Sequence, residues 1–182
     1  QALALGEAIG GKGKVAYMGV VGMGIMEQAF AAFEETMKEQ YPNVELLEKF
    51  NNQEGVESAA ATAADIISAH PDLSGFAAFN SFSGPGIGIA LREAGKIGEI
   101  KLTAVDMEPQ HLKLIQDGIA TMLVGQKRKL FTYWGAAMLY NYAHKKISFS
   151  EDDRAAGISW IPAKIDTGLI IVTKDNIEYF IK

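Results

Sequence analysis

Three apolar runs of this chain each end on a side chain suited to hydrogen bonding: Gly75-Phe-Ala-Ala-Phe on Asn80, Lys101-Leu-Thr-Ala-Val on Asp106, and Ala120-Thr-Met-Leu-Val-Gly on Gln126. Asn and Gln offer both a donor and an acceptor, and an ionised Asp accepts strongly from two hydroxyls. In an open α/β sheet, ligands sit beyond the carboxyl ends of the parallel strands, so these positions form one wall of a polar-ligand cleft. The plainer reading is strand-to-loop punctuation, which Asn and Asp also supply. Three such residues in register favour the cleft.

The elements that would position them follow from periodicity. A helix over about Ala2–Ile9 stops at Gly10-Gly11, Lys14–Met18 reads as a strand, and residues 24–40 carry Ile25, Phe30, Phe33 and Met37 at helical spacing. Val44–Phe50 is the next strand, and the loop Asn51-Asn-Gln-Glu-Gly leads into an alanine-rich helix over about Val56–His70, ended by Pro71. After Asn80, the turn Ser83-Gly84-Pro85-Gly86 opens a helix running to Glu93; a further helix spans Pro109–Gln116. Strands alternating with helices predict one right-handed, doubly wound α/β domain on a parallel sheet.

Beyond Gln126 the character changes. Leu130–His144 reads as an aromatic helix with Phe131, Trp134, Met138 and Tyr142 along one stripe that expects a partner. Residues 146–158 form a polar connector whose Glu151-Asp152-Asp153-Arg154 reads as a solvated loop rather than a metal cluster. Thr167-Gly-Leu-Ile-Ile-Val-Thr is a last strand.

Composition narrows the function classes. With 48% hydrophobic and 21% charged residues the chain can bury a core, which argues against disorder. Its net charge of −5, with no basic cluster larger than Lys127-Arg128-Lys129, argues against nucleic-acid partners. No apolar run reaches the roughly 20 residues of a membrane span. The absence of cysteine excludes disulfides and thiolate chemistry, and His70, His111 and His144 are too scattered to form a ligand pair. We therefore expect no metal, no cofactor and no catalysis. The phrase Gly22-x-Gly24-x-x-Glu27 imitates a dinucleotide fingerprint but ends on a long acid where a small residue is needed. No nucleophile elbow surrounds Ser81 or Ser83.

In order and spacing, several phrases resemble the type I periplasmic binding proteins, in the ribose-binding-like group of ABC-transporter receptors. They are Lys14-Val-Ala-Tyr-Met, Ala69-His-Pro-Asp-Leu-Ser-Gly-Phe-Ala-Ala-Phe-Asn80, Ala90-Leu-Arg-Glu-Ala-Gly-Lys96, Ile100-Lys-Leu-Thr-Ala-Val-Asp106, Leu114-Ile-Gln-Asp-Gly118, Ala120 to Gln126, and Thr167 to Asn176. The resemblance implies two α/β lobes joined by three crossovers with a sugar held between them. It assigns 1–126 and 166–182 to the carboxy-terminal lobe, and 127–165 to a crossover helix and connector of the amino-terminal lobe. The bulk of that second lobe is then missing, and the chain reads as a fragment entered partway through a helix.

By the same resemblance Asn80, Asp106 and Gln126 match the family's cleft residues on this lobe, and Phe82 supplies an apolar ring face; Phe79 is equally suited to the core. Glu27 stands where ribose binders place an arginine, and Asn52, Gln53 or Glu54 where they place an aromatic. Those departures point away from ribose, toward a neutral polyol, an amino sugar or a cationic ligand. The implied partners are a small carbohydrate and an ABC-transporter permease or membrane receptor. The implied location is periplasmic or extracellular, with a lipoprotein tether as one form. The alternatives are a sensing domain outside the membrane and the effector core of a LacI-type regulator.

Overall fold

The computed structural model describes residues 1–144 and 147–181. In chain order it contains α1 (Ala2–Ala8), β1 (Lys12–Gly19), α2 (Gly24–Gln40), β2 (Asn43–Asn51), α3 (Val56–Ala69), β3 (Leu73–Ala78) and α4 (Ser83–Glu93). There follow β4 (Lys101–Val105), α5 (Pro109–Gln116), β5 (Met122–Gln126), α6 (Arg128–His144), β6 (Leu169–Val172) and a 3-10 turn at Ile177–Tyr179. The sheet order is β2-β1-β3-β4-β5-β6, and the pairs β1/β2, β1/β3, β3/β4 and β4/β5 are parallel. This is the expected α/β, parallel-sheet class, and it fits one lobe of the two-lobe fold.

The chain divides into two compact units, residues 1–125 with 171–182 and residues 126–170. In the first, strand alternation sorts side chains to the two faces of the sheet. Val15 and Tyr17 of β1 join Phe30, Phe33 and Met37 of α2, Leu5 of α1 and Phe79 in one buried cluster. Phe79 meets Phe30 and Phe33 edge-on, with ring centroids 5.2 and 5.4 Å apart, so it belongs to the core. Ala16 and Met18 point the other way and are equally buried.

The sequence reading needs correction at Ser83-Gly84-Pro85-Gly86. These residues are not a turn before a helix but the first turn of α4 itself, and all four are buried. Proline is tolerated there because first-turn N–H groups have no intrahelical acceptor to lose. Glycine is required because α3 lies against the helix: a Cβ on Gly86 would stand 2.5 Å from the Ala59 Cβ and 2.7 Å from the Val56 carbonyl oxygen.

In the second unit α6 has no buried residue, and Phe131, Trp134 and Tyr142 of its aromatic stripe are exposed. Trp134, Met138 and Asn141 line a cavity of about 190 Å³ with Trp160, Ile161 and Ile165. The connector read over 146–158 begins one residue outside the described ones, and Asp153 within it is not solvated. It is 4% exposed and accepts from the Phe149 and Ser150 N–H groups and from the Ser150 hydroxyl, forming the centre of a tight loop. Among the described residues no helix is long and apolar enough to cross a membrane.

Candidate functional site

The exits of β2 and β4 share an unusual backbone. Among the described residues, the positive-φ residues other than glycine are Gln53 (51°) and Glu54 (57°) after β2 and Asp106 (77°) after β4. Left-handed backbone is costly for residues with a Cβ and collects where surrounding structure holds it for a purpose. Asp106 is held by its N–H donating to the Val124 carbonyl of β5 at 2.9 Å.

Asn80, two residues past β3, is half-buried. Its Oδ1 accepts from Asn52 Nδ2 (2.6 Å), the Ser83 N–H (3.0 Å) and Ser83 Oγ (2.8 Å). That saturation fixes the amide's orientation, so Asn80 presents N–H donors rather than the donor and acceptor that its residue type allows. The neighbouring Ser81 Oγ donates to Asp106 Oδ2 at 2.6 Å, tying the β3 exit to the β4 exit. The two exits together offer a fixed donor and a carboxylate acceptor, which is what one hydroxyl needs from its two sides.

Asn52 stands behind this pair. It is fully buried, its Nδ2 also reaches Ser83 Oγ at 2.9 Å, and its Oδ1 accepts from the Glu54 N–H at 3.0 Å. Its own N–H donates to the Gly19 carbonyl, and its carbonyl accepts from Ser58 Oγ. Asn52 thus joins β1 through its backbone and the β3 exit and α4 through its buried side chain. Gln53 is exposed, with its N–H on Asn51 Oδ1 at 3.1 Å. Phe82, at the N-terminal cap of α4, is 39% exposed. Gln126 is the last residue of β5, is exposed, and begins the second compact unit.

Glu27 is not the free acid its position suggested. Its Oε1 accepts from the Gly22 N–H at 2.8 Å and its Oε2 takes the Lys49 ammonium. Lys49, ahead of Gly22, holds this carboxyl below the usual carboxylate range. The pair therefore favours the fold above the ordinary carboxylate range, and its contribution is lost as pH falls through the lowered folded-state titration. The Glu27 charge is paired with Lys49 within the fold, and Asp106 is the carboxylate that Ser81 ties to the β3 exit.

Sequence reading missed three participants, Ser81, Ser83 and Lys49. Ser83 was legible in part, since an Asn three residues earlier can accept from its N–H in a local turn; Ser81 was not, because its partner Asp106 stands at another strand exit. Lys49 was not, because it meets Glu27 only through the pairing of β2 with β1. One cluster among the described residues brings metal-ligand types together, with donor atoms of Asp106, Glu108 and His111 within 4.8 Å of one another. Its imidazole, however, is engaged at both nitrogens, with Nε2 3.1 Å from the Ser81 carbonyl and Nδ1 3.1 Å from Glu108 Oε2.

Residues 1–147 match the family model described as periplasmic binding protein domain. A sugar ABC transporter sugar-binding protein from Bacillus halodurans superposes with a TM-score of 0.89 at 24% identity, over 99% of this chain and 61% of that one. An arabinose-binding protein from Geobacillus stearothermophilus gives 0.88 at 26% identity, over 100% and 61%. An ABC-transporter solute-binding protein from Agrobacterium vitis, bound with α-D-tagatopyranose, gives 0.85 at 28% identity, over 97% and 55%. The chain thus spans about three-fifths of the length of these solved proteins. No match was found among curated protein sequences. The match over 1–147 shows that this chain belongs to the periplasmic binding protein domain family.

Proposed function

We propose that the chain is the carboxy-terminal lobe and one crossover of a sugar-binding protein that serves an ABC importer outside the cytoplasmic membrane. The observation that carries this reading is the coupled pair at the β3 and β4 exits: Asn80 locked as a donor and Asp106 held as an acceptor on left-handed backbone. A buried hydroxyl left without partners costs about 1–3 kcal/mol, so a fixed donor and a fixed acceptor select for ligands carrying hydroxyls at matching positions. The arabinose-binding relative and the tagatose-bound relative, at 26% and 28% identity, support a monosaccharide.

In this reading Asn80, Asp106 and Gln126 contact the sugar, Phe82 and Gln53 border it, and Asn52 and Glu27 act from behind as supports. Residues 127–165 belong to the other lobe; the wholly unburied helix α6 supports this. Closure occurs about hinges near Gln126 and near Asp166, with the sugar binding the closed state better than the open one. A permease or membrane receptor then reads the closed form.

The test is thermal denaturation of the complete two-lobed protein against D-arabinose, D-tagatose, other pentoses and hexoses, amino sugars and polyols. A sugar at 100 times its dissociation constant adds about 2.7 kcal/mol, a shift of several degrees. Asp106→Ala removes that shift while leaving the ligand-free midpoint within a few degrees. Silence across the panel, or a full shift in the variant, overturns the reading.

A further inference from the structure

We propose that Asn52 is a positioning residue that sets the hydrogen-bond polarity of the sugar site: its buried amide obliges Asn80 to offer N–H donors, so that a ligand hydroxyl at the β3 and β4 exits accepts from Asn80 and donates to Asp106. The inference rests on the site assignment above and narrows the ligand class it admits. Two backbone N–H groups, which can only donate, fix the two amides. The Glu54 N–H lies 3.0 Å from the Asn52 side chain, so the atom there is Oδ1 and Nδ2 is turned toward Asn80 and Ser83. The Ser83 N–H lies 3.0 Å from the Asn80 side chain, so the atom there is Oδ1 as well. Asn52 Nδ2 meets that same oxygen at 2.6 Å. Nδ2 of Asn80 is then the atom left for a ligand.

Asn52 is the member of this chain of bonds that cannot yield. It is fully buried, its N–H is on the Gly19 carbonyl, its carbonyl takes the Ser58 hydroxyl, and its amide is held at both ends by Glu54 and Ser83. Glu54 in turn stands on left-handed backbone, φ 57°, with its N–H directed back at Asn52. Ser83 Oγ differs in kind: its one proton can go to Asn80 Oδ1 at 2.8 Å or to the Met18 carbonyl at 3.3 Å, so it follows the polarity and does not set it. Turning the Asn80 amide over would put its NH₂ against that of Asn52 and against the Ser83 N–H, and would leave one proton of a fully buried amide without its acceptor.

On the ligand side the two strand exits are therefore unlike, a donor at Asn80 and a carboxylate at Asp106. A hydroxyl has one proton and lone pairs to spare, so it satisfies both at once. Between two acceptors the same hydroxyl could satisfy only one. A protonated amine is the reverse case, with three donors and no acceptor: it fits between two acceptors, and at Asn80 as it stands it meets N–H with N–H. Asn52, without touching the ligand, thus makes the Asn80 side of the site select a neutral hydroxyl.

The experiment compares the complete two-lobed protein with its Asn52→Asp and Asn52→Leu variants at pH 8. Both replacements keep the branched shape and delete the donor, but only aspartate puts an ionised acceptor before Asn80. Hydrogen bonds to an ionised acceptor are about twice as strong as a neutral one such as the Ser83 N–H supplies, so the Asn80 amide should turn over. Without ligand, in ¹³C,¹⁵N-labelled protein, scalar couplings across hydrogen bonds should join Asn52 Nδ2 and Ser83 N to the Asn80 side-chain carbonyl carbon. In Asn52→Asp, Asn80 Nδ2 should instead couple to the carboxyl carbon introduced at position 52. With ligand, calorimetry against D-arabinose, D-tagatose and their monoamino-monodeoxy derivatives should show Asn52→Asp binding the parent sugar about tenfold more weakly, the loss of one hydrogen bond, while one amino derivative gains on it. Asn52→Leu should keep the wild-type order of probes. Wild-type Asn80 coupled to its neighbours through Nδ2 overturns the proposal, and so does one order of probes in all three proteins, which is what a merely structural role would give. If Asn52→Asp does not fold, the wild-type couplings decide. They need no sugar, so silence of every sugar falls on the proposed function alone, and a reversed Asn80 leaves the sugar-site reading standing.

Discussion

Helix α4 buries eight of its eleven residues and helix α6 none of its seventeen, although α6 carries five aromatic rings and α4 is built on Gly84, Gly86 and Gly88. Hydrophobic content therefore does not decide which helix is buried; the distance at which a neighbour can stand does. In α4 the missing side chains let the backbone of α3 come within contact of the helix, and burial follows from closeness. In α6 the rings project from a helix with no buried residue, although Trp134 lines a cavity with Trp160 and Ile161. Large apolar side chains on such a face signal a partner.

The sharpest way to break this contrast is to truncate Leu139, which is 73% exposed on α6. Leu139→Ala should change the stability of this 182-residue chain by no more than about 0.5 kcal/mol. In the complete protein, with the face covered as proposed, the same change should cost about 2–5 kcal/mol. Equal small effects in the two contexts, read by urea denaturation, would show that α6 has no partner there. Next in size is Gly86→Val, which drives a branched side chain into α3. It should cost about 3 kcal/mol, the upper part of the overpacking range, and a near-neutral result would mean the two helices can part freely. The smallest effect has the opposite sign. Gly135→Ala in α6 places a methyl where nothing stands within 4 Å, and should raise helix stability by about 0.5–1 kcal/mol, seen as a higher melting midpoint.

The sequence was legible where one local rule decided the outcome. The helices over 24–40 and Pro109–Gln116 and the strand Lys101–Val105 follow from periodicity and end signals, and the structure has them at those bounds. Asn80 and Asp106 stood out because each follows a strand. What stayed hidden depends on contacts between distant segments. Gly-rich Ser83–Gly86 reads as a turn unless α3 is known to press on it. Glu27 reads as a free acid unless β2 is known to bring Lys49 beside it. Asp153 reads as solvated because the Phe149 and Ser150 N–H groups are among its partners, and no side-chain pattern announces backbone donors. Asn52 likewise shows its type in the sequence but not its burial.

The left-handed backbone of Asp106 has a consequence for how this domain would respond to selection. A residue with a Cβ at φ 77° is strained, and glycine there would relieve the strain while deleting the carboxylate. In a library selected for thermal robustness alone, position 106 should drift toward glycine, and, with Asp106 holding the sugar as proposed, the survivors should lose binding first and their fold last. Aspartate enrichment at that single codon, compared between stability-selected and ligand-selected pools, would measure how much robustness the protein gives up in order to bind.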